Sequence, residues 1–418
     1  MAIGYACIAL GVRNSGMHGC TLKNASRERL DQIIAVNLQT LDRILDYNAS
    51  LGITLFRISS DIIPFGSHPV NRNNWWDDHA AQLKQLGEKI RQSGLRVSMH
   101  PGQYTVLNAL DQEIAERAVE DLEYHTRFLD ALGLDGQHKI IVHLGGTYGD
   151  QRLSMTRFRR KYESLSAPVK RRLVIENDEK YDIALVLDLA GALHIPAVFD
   201  VFHHQCNPVP SGGGINDWLE KCQTTWREGD GVQKIHYSQQ EPGMRAGSHS
   251  RTIQLQSFID FYQQLPHQQL DIMLEVKDKD LSAIKCMLAL NPNPPRRLVE
   301  QEWARYKYLV MEHSHRHYQI ISKLSNPSLP LEAKQFYLLL EEALHKSPER
   351  GQSWNAAQHV WGYFKNVVTE REKAGWQAKA EQYRSGEIEQ SKLKSFLKRL
   401  AQKYDMNYLL DSYYFLLD

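Results

Sequence analysis

Short apolar runs, rich in β-branched and aromatic residues, recur through the first 280 residues, with segments of helical periodicity between them. Eight runs read as strands: IGYACI (3–8), TLFRIS (54–59), RVSMH (96–100), KIIVHL (139–144), RLVIEN (172–177), AVFDV (197–201), KIHYS (234–238) and DIMLEV (271–276). Their starts lie at least 25 residues apart, which leaves room for a crossover helix each time. In 28–49, Leu30, Ile33, Ile34, Leu38, Leu41, Ile44 and Leu45 keep helical spacing. In 113–132, Ile114, Ala118, Leu122, His125, Phe128, Leu129 and Leu132 do the same. Eight β-then-α units, with no Gly-x-Gly-x-x-Gly after the first strand, predict an α/β fold closed into a (β/α)8 TIM barrel. An open doubly wound sheet is the alternative.

The pattern changes near residue 290. NPNPPRR (291–297) reads as a linker between a barrel over 1–290 and a small all-α domain over 298–418. That last stretch holds four glycines and charged amphipathic segments at 299–323, 329–346, 353–373 and 389–403.

Composition narrows the classes. Hydrophobic residues at 42% and charged residues at 24% suit a folded chain with a sizeable core. A net charge of +1 excludes a histone-like polycation, so any nucleic-acid contact must come from local patches. Five scattered cysteines, without C-x-x-C, fit a reducing cytosol and neither a disulfide framework nor a thiolate zinc site. The start lacks the features of a signal peptide, and the apolar stretch 183–202 carries Asp188, His194, Pro196 and Asp200, which suits a helix, a turn and a buried strand better than a membrane span. The expectation is a cytoplasmic monomer without organic cofactor.

Chemistry gathers at the strand ends. The third strand ends in His100, the fourth carries His143 and the fifth ends in Glu176-Asn177-Asp178. The sixth ends in Asp200, followed by His203 and His204; the seventh carries Lys234 and His236, with His249 in the loop beyond; the eighth reaches Glu275. A lone strand histidine reads as a core residue and a lone strand-end carboxylate as a helix cap. Six consecutive strands with such groups at one end read differently, because buried charges need partners. Imidazoles and carboxylates together suit Zn²⁺ or Mn²⁺, and His100, His143, Glu176, Asp200, His203, His236, His249 and Glu275 exceed one tetrahedral site. Two or three ions are implied, with Glu176 bridging, an arrangement used for in-line attack on phosphodiesters.

The loops add an amide and an aromatic, Gln103 and Tyr104, which read either as an ordinary turn with a packed tyrosine or as a pair that wedges into a distorted duplex and stacks on bases. Arg152, Arg157, Arg159, Arg160 and Lys161 follow the strand of His143; Arg245 and Arg251 bracket His249; Lys277 and Lys279 follow Glu275. These suit phosphates. Lys170, Arg171 and Arg172 precede a strand and are expected at the opposite rim as solvated structural groups.

FRISSDIIPFGSHP (56–69), MHPGQYTVLN (99–108), VHLGGTYGD (142–150), VIEND (174–178), VFDVFHHQCNP (199–208), KIHYSQ (234–239), RAGSHS (245–250) and MLEVKDKD (273–280) together resemble the UV damage endonucleases, over roughly residues 1–290. The resemblance implies a barrel of the xylose-isomerase-like type that nicks damaged double-stranded DNA immediately 5′ to cyclobutane dimers and (6-4) photoproducts. It implies two or three divalent ions (Mn²⁺, Zn²⁺ or Mg²⁺). His100, His143 and Glu176 would hold the first, Glu176, Asp200, His236 and Glu275 the second, and His203 with His249 the third. Lys234 matches a lysine that becomes carboxylated, with a plain phosphate-binding lysine as the alternative, and Glu176, Lys234, His236 and Glu275 form the implied catalytic set. Tyr5, Gln103, Tyr104, Arg157, Arg160, Lys277 and Lys279 would meet the DNA or its lesion. Ala9 departs from an asparagine found in some relatives. The remainder resembles the YbgA-like domain, through KYLVMEHSHRHYQ (307–319), HVWGYFKNVVTEREKAGW (359–376) and YRSGEIE (383–389). Its histidines His313, His315, His317 and His359 read as solvated or core residues. The rival readings are a sugar or sugar-phosphate isomerase on the same barrel and a non-catalytic DNA-binding scaffold.

Overall fold

The computed structural model describes residues 1–266, 269–325 and 332–417. Eight parallel strands close into a barrel in sequential order: β1 Ile3–Cys7, β2 Leu55–Ile58, β3 Arg96–Met99, β4 Ile140–His143, β5 Leu173–Glu176, β6 Ala197–Asp200, β7 Gln233–Tyr237 and β8 Leu270–Leu274. The expected eight strands and the closed TIM barrel are therefore present, with boundaries moved by one or two residues. The open sheet is excluded, because β1 pairs with both β2 and β8.

Local signals set the surrounding helices. Ser26 caps Arg27–Leu51 by accepting from Arg29 N, and Gly52 ends it with φ 73°. Asp111 and Asp182 cap Gln112–Ala131 and Ile183–Leu193 in the same way. Gly4 is required by close approach, since a Cβ there would lie 2.2 Å from Leu55 O on the neighbouring strand.

Register and the two-residue side-chain period divide the barrel interior into levels. At the bottom, Arg96 pairs with Asp271 at 2.9 Å, and Lys234 stands in register with Asp271. Apolar residues fill the middle, among them Leu55 with Met273, and Ile141 with Val174 and Val198. The top level carries Arg57, His100, His143, Glu176, Asp200, His236 and Glu275, each two residues from an interior-facing neighbour on the same strand.

One expectation about the lower rim is corrected. Arg172 is not solvated: it is 1% exposed, pairs with Asp130 and donates to the carbonyls of Leu134 and His138. A guanidinium with five donors satisfies several loop carbonyls at once, which allows its burial.

Residues cluster into two compact units, 1–9, 14–253 and 260–284 in the first, and 10–13, 254–259 and 285–418 in the second. The second unit is helical. Its expected segment 299–323 is two helices, Arg296–His313 and His315–Leu324, because Ser314 turns extended and caps the second by accepting from His317 N. The segment 353–373 is also broken, into Arg350–Trp361 and Glu370–Ser385, where Thr369 and Glu372 form a capping box. The start of 329–346 lies outside the described residues; the helix there runs Ala333–Leu344. Trp361, Phe364, Trp376 and Leu397 belong to its core. His313 bonds Lys346 O, and His317 meets Ser314 and Glu342. Among the described residues, these histidines form no group of three possible metal ligands.

Candidate metal centre

The strand ends converge. Two sets of ligand atoms lie within 4.8 Å of one another: His100, His143 and Glu176, and Glu176, Asp200 and His236. Glu176 belongs to both. Its Oε1 is 2.5 Å from His236 Nδ1 and its Oε2 is 3.1 Å from His100 Nε2 and 3.8 Å from His143 Nε2. Five imidazoles cross the mouth as a chain, with successive ring centroids of 6.2 Å (His236–His100), 5.0 Å (His100–His143), 5.9 Å (His143–His203) and 5.9 Å (His203–His249).

Asp200 does two things at once. Its Oδ1 accepts from His203 N at 2.6 Å, capping the short helix Val201–Cys206 and setting His203 over the mouth. Its Oδ2 is buried without a partner among the described residues, as is His236 Nε2. Asn177 fixes the Asp200 backbone through both its amide atoms, at 2.9 and 2.8 Å. Buried polar atoms left without hydrogen bonds are costly. Here they belong to a carboxylate and an imidazole of one candidate ligand group, the donor set that a divalent cation takes.

Glu275 sits at the edge of this set. It pairs with Arg57, and its Oε1 is 3.1 Å from His236 Nδ1. His249 bonds the Glu275 carbonyl through Nδ1 at 2.7 Å. Strand-end spacing does not single out Arg57, which lies inside the strand Leu55–Ile58. A charge flanked by Phe56 and Ile58 in a strand covered on both sides was the available signal. Glu179, 3.2 Å from His203 Nδ1, also went unread.

Charge in the mouth is strongly coupled. Burial pushes the Glu176 carboxyl up, but His236, His100 and His143 outweigh it and hold it well below the usual carboxylate range. Burial raises Asp200 to about 6. Burial opposes a proton on His203, yet Asp200, Glu176 and Glu179 lift it to about 9. Lys234 is fully buried, its Nζ has no partner, and burial with Arg96 nearby drives it well below the usual lysine value. It stands two residues before His236 and in register with Asp271.

Among the residues expected to meet DNA, Gln103 and Tyr104 are exposed, Tyr104 at 66%. Tyr104 borders a concavity of about 1230 Å³ that also takes in His18, Phe65 and His68. Arg160 and Lys277 are exposed and Lys279 is half-buried. Tyr5 is corrected: it is 0% exposed, packs on Phe56 and donates to Asn48 Oδ1 at 2.7 Å, so it faces the helical layer and not the mouth. Arg157 has an internal role, donating to Asn108 O and Ser154 Oγ and lying over the Tyr148 ring. Ala9 is buried.

Residues 1–295 match the model of the family described as UV-endonuclease UvdE. The chain belongs to the UV-endonuclease UvdE family. Residues 307–417 match a second family, described as a protein of unknown function (DUF1722). A UV DNA damage endonuclease of Clostridium perfringens is 35% identical over 99% of both chains, so this relative spans both regions. One from Bacillus cereus (strain Q1) is 33% identical over 63% of this chain and 84% of its own. The crystal structure of SacUVDE superposes with a TM-score of 0.65 at 35% identity, covering 68% of this chain and 96% of that one. The UvdE region thus includes every strand of the barrel and every residue of the mouth. No described helix is long and apolar enough to cross a membrane.

Proposed function

We propose that the chain is a metal-dependent DNA repair endonuclease that hydrolyses the phosphodiester immediately 5′ to UV photoproducts. The products would be a 3′-hydroxyl and a 5′-phosphate, the entry to alternative excision repair. The observation that carries this reading is the paired ligand groups sharing Glu176, with buried unpartnered atoms on Asp200 and His236, in a UvdE-family barrel.

His100, His143 and Glu176 would hold one cation, Glu176, Asp200 and His236 a second, and His203 with His249 a third. When bound, two or three divalent ions (Mn²⁺, Zn²⁺ or Mg²⁺) would supply Lewis-acid stabilisation of charge on the phosphoryl oxygens and an activated water. The chain supplies a rigid frame for this. Asn177 locks Asp200, and Arg57 holds Glu275 beside His236. Arg160, Lys277 and Lys279 would neutralise phosphates flanking the mouth. Gln103 and Tyr104 would enter the helix at the lesion and replace stacking there. Lesion choice then follows from deformability, since a photodimer already weakens stacking and lowers the cost of opening.

Incubation with Mn²⁺ and supercoiled plasmid is expected to relax UV-irradiated DNA and leave intact DNA closed. Equal nicking of both, or of neither, would contradict the proposal.

A further inference from the structure

The helical unit carries a charge pattern that the metal centre does not use. Helix Gln390–Lys403 (QSKLKSFLKRLAQK) holds five cations and no acid. On several other helices of the unit cations sit beside acids, as in Arg296–Glu300 and Lys373–Glu370. That mixed pattern is the ordinary solvated helix face. Helix Gln390–Lys403 departs from it.

Two of its five cations are accounted for. Lys394 is buried against Glu312, and Lys403 pairs with Glu372 from Glu370–Ser385. The others line a shallow concavity of about 390 Å³ together with Lys379, Ser395 and Gln402. Lys398 there donates to Phe415 O. The side chains of Lys379, Lys392 and Arg399 have no hydrogen-bond or ion-pair partner among the described residues. No acidic side chain lines the concavity.

Lys392, Ser395, Arg399 and Gln402 recur at intervals of three and four residues, so they share one helix face. Lys392 and Arg399 are seven residues apart, about 10 Å along the axis. That separation is long enough for the two cations to meet different phosphates of one DNA strand. Ser395 places a neutral donor between these cations and Gln402 another beyond Arg399, as phosphate-binding surfaces do.

We propose that this basic concavity of the helical unit binds the phosphate backbone of duplex DNA without regard to sequence or damage. The inference rests on the endonuclease reading for its choice of polyanion, and gives the second unit the task of holding undamaged duplex.

The test uses the full-length protein and an undamaged, labelled duplex in EDTA, so that binding is read without incision. The triple variant K379Q/K392Q/R399Q is compared with the parent by fluorescence anisotropy over a salt series, with folding checked by thermal melting. Each phosphate contact contributes about one to the slope of log K against log [salt], so the variant is expected to lose about three from that slope. Affinity at low salt should fall roughly tenfold or more. Single-turnover incision at saturating damaged substrate should be unchanged. An unaltered slope and affinity in a folded variant would overturn the proposal, the result expected if the patch serves an acidic protein partner. Loss of DNA binding in the variant, when the parent fails to nick irradiated plasmid, would retain the patch and reject the endonuclease reading alone.

Discussion

Replacing Glu176 by glutamine is expected to lower incision of irradiated DNA by about 10³-fold or more. The substitution keeps the shape of the side chain and removes its charge. Glu176 alone belongs to both candidate ligand groups, and its two oxygens face different imidazoles. Losing it weakens both cation sites together. The stabilisation of charge that cations give a phosphoryl centre is worth several kcal/mol, and about 4 kcal/mol corresponds to about 10³ in rate. Single-turnover nicking of a duplex with one cyclobutane dimer reads the effect, and circular dichroism checks the fold. A variant within tenfold of the parent would remove Glu176 from the centre.

The second large effect is the loss of metal, and its pH dependence has a definite sign. Chelation should abolish incision, and Mn²⁺ should restore it. The metal-free protein holds Asp200 at about 6 and His203 at about 9, both above their ordinary values. A group whose pKa rises on folding binds more protons in the folded state, so its contribution is lost as pH climbs towards the folded value. For Asp200 that window runs from about 4 to 6, and for His203 from about 6.5 to 9. The same protons must leave before either side chain ligates a cation, so metal affinity rises with pH across both windows. The melting temperature gained on adding Mn²⁺ should therefore grow from pH 5 to pH 9. At about one hundred times the dissociation constant, the stabilisation is about 2.7 kcal/mol. A gain that is flat or shrinks with pH would contradict these assignments.

Much of the barrel was legible because buried parallel strands write themselves as apolar runs with chemistry at one end. His100, Glu176, Asp200 and His236 could be read because side-chain parity and strand ends coincide in this fold. Tyr5 was misread although its parity was available: Gly4 and Ala6, the small residues on either side, share the face that turns inward, so Tyr5 faces out. Arg57 escaped because strand-end reasoning passes over a charge in mid-strand, and its partner Glu275 comes from sequence more than 200 residues away. The helix breaks at Ser314 and before Thr369 were lost for a different reason. Amphipathic spacing continues across a cap, and only the cap residues mark the interruption; Thr369-x-x-Glu372 was such a mark. Arg172 followed charge alone, while its burial depends on loop carbonyls that tertiary structure supplies.

The most direct test of the central claim is anomalous diffraction from crystals grown with Mn²⁺. Two or three strong peaks are expected in the barrel mouth, one among His100, His143 and Glu176 and one among Glu176, Asp200 and His236. Peaks confined to other surfaces, or an empty mouth at saturating Mn²⁺, would contradict that claim.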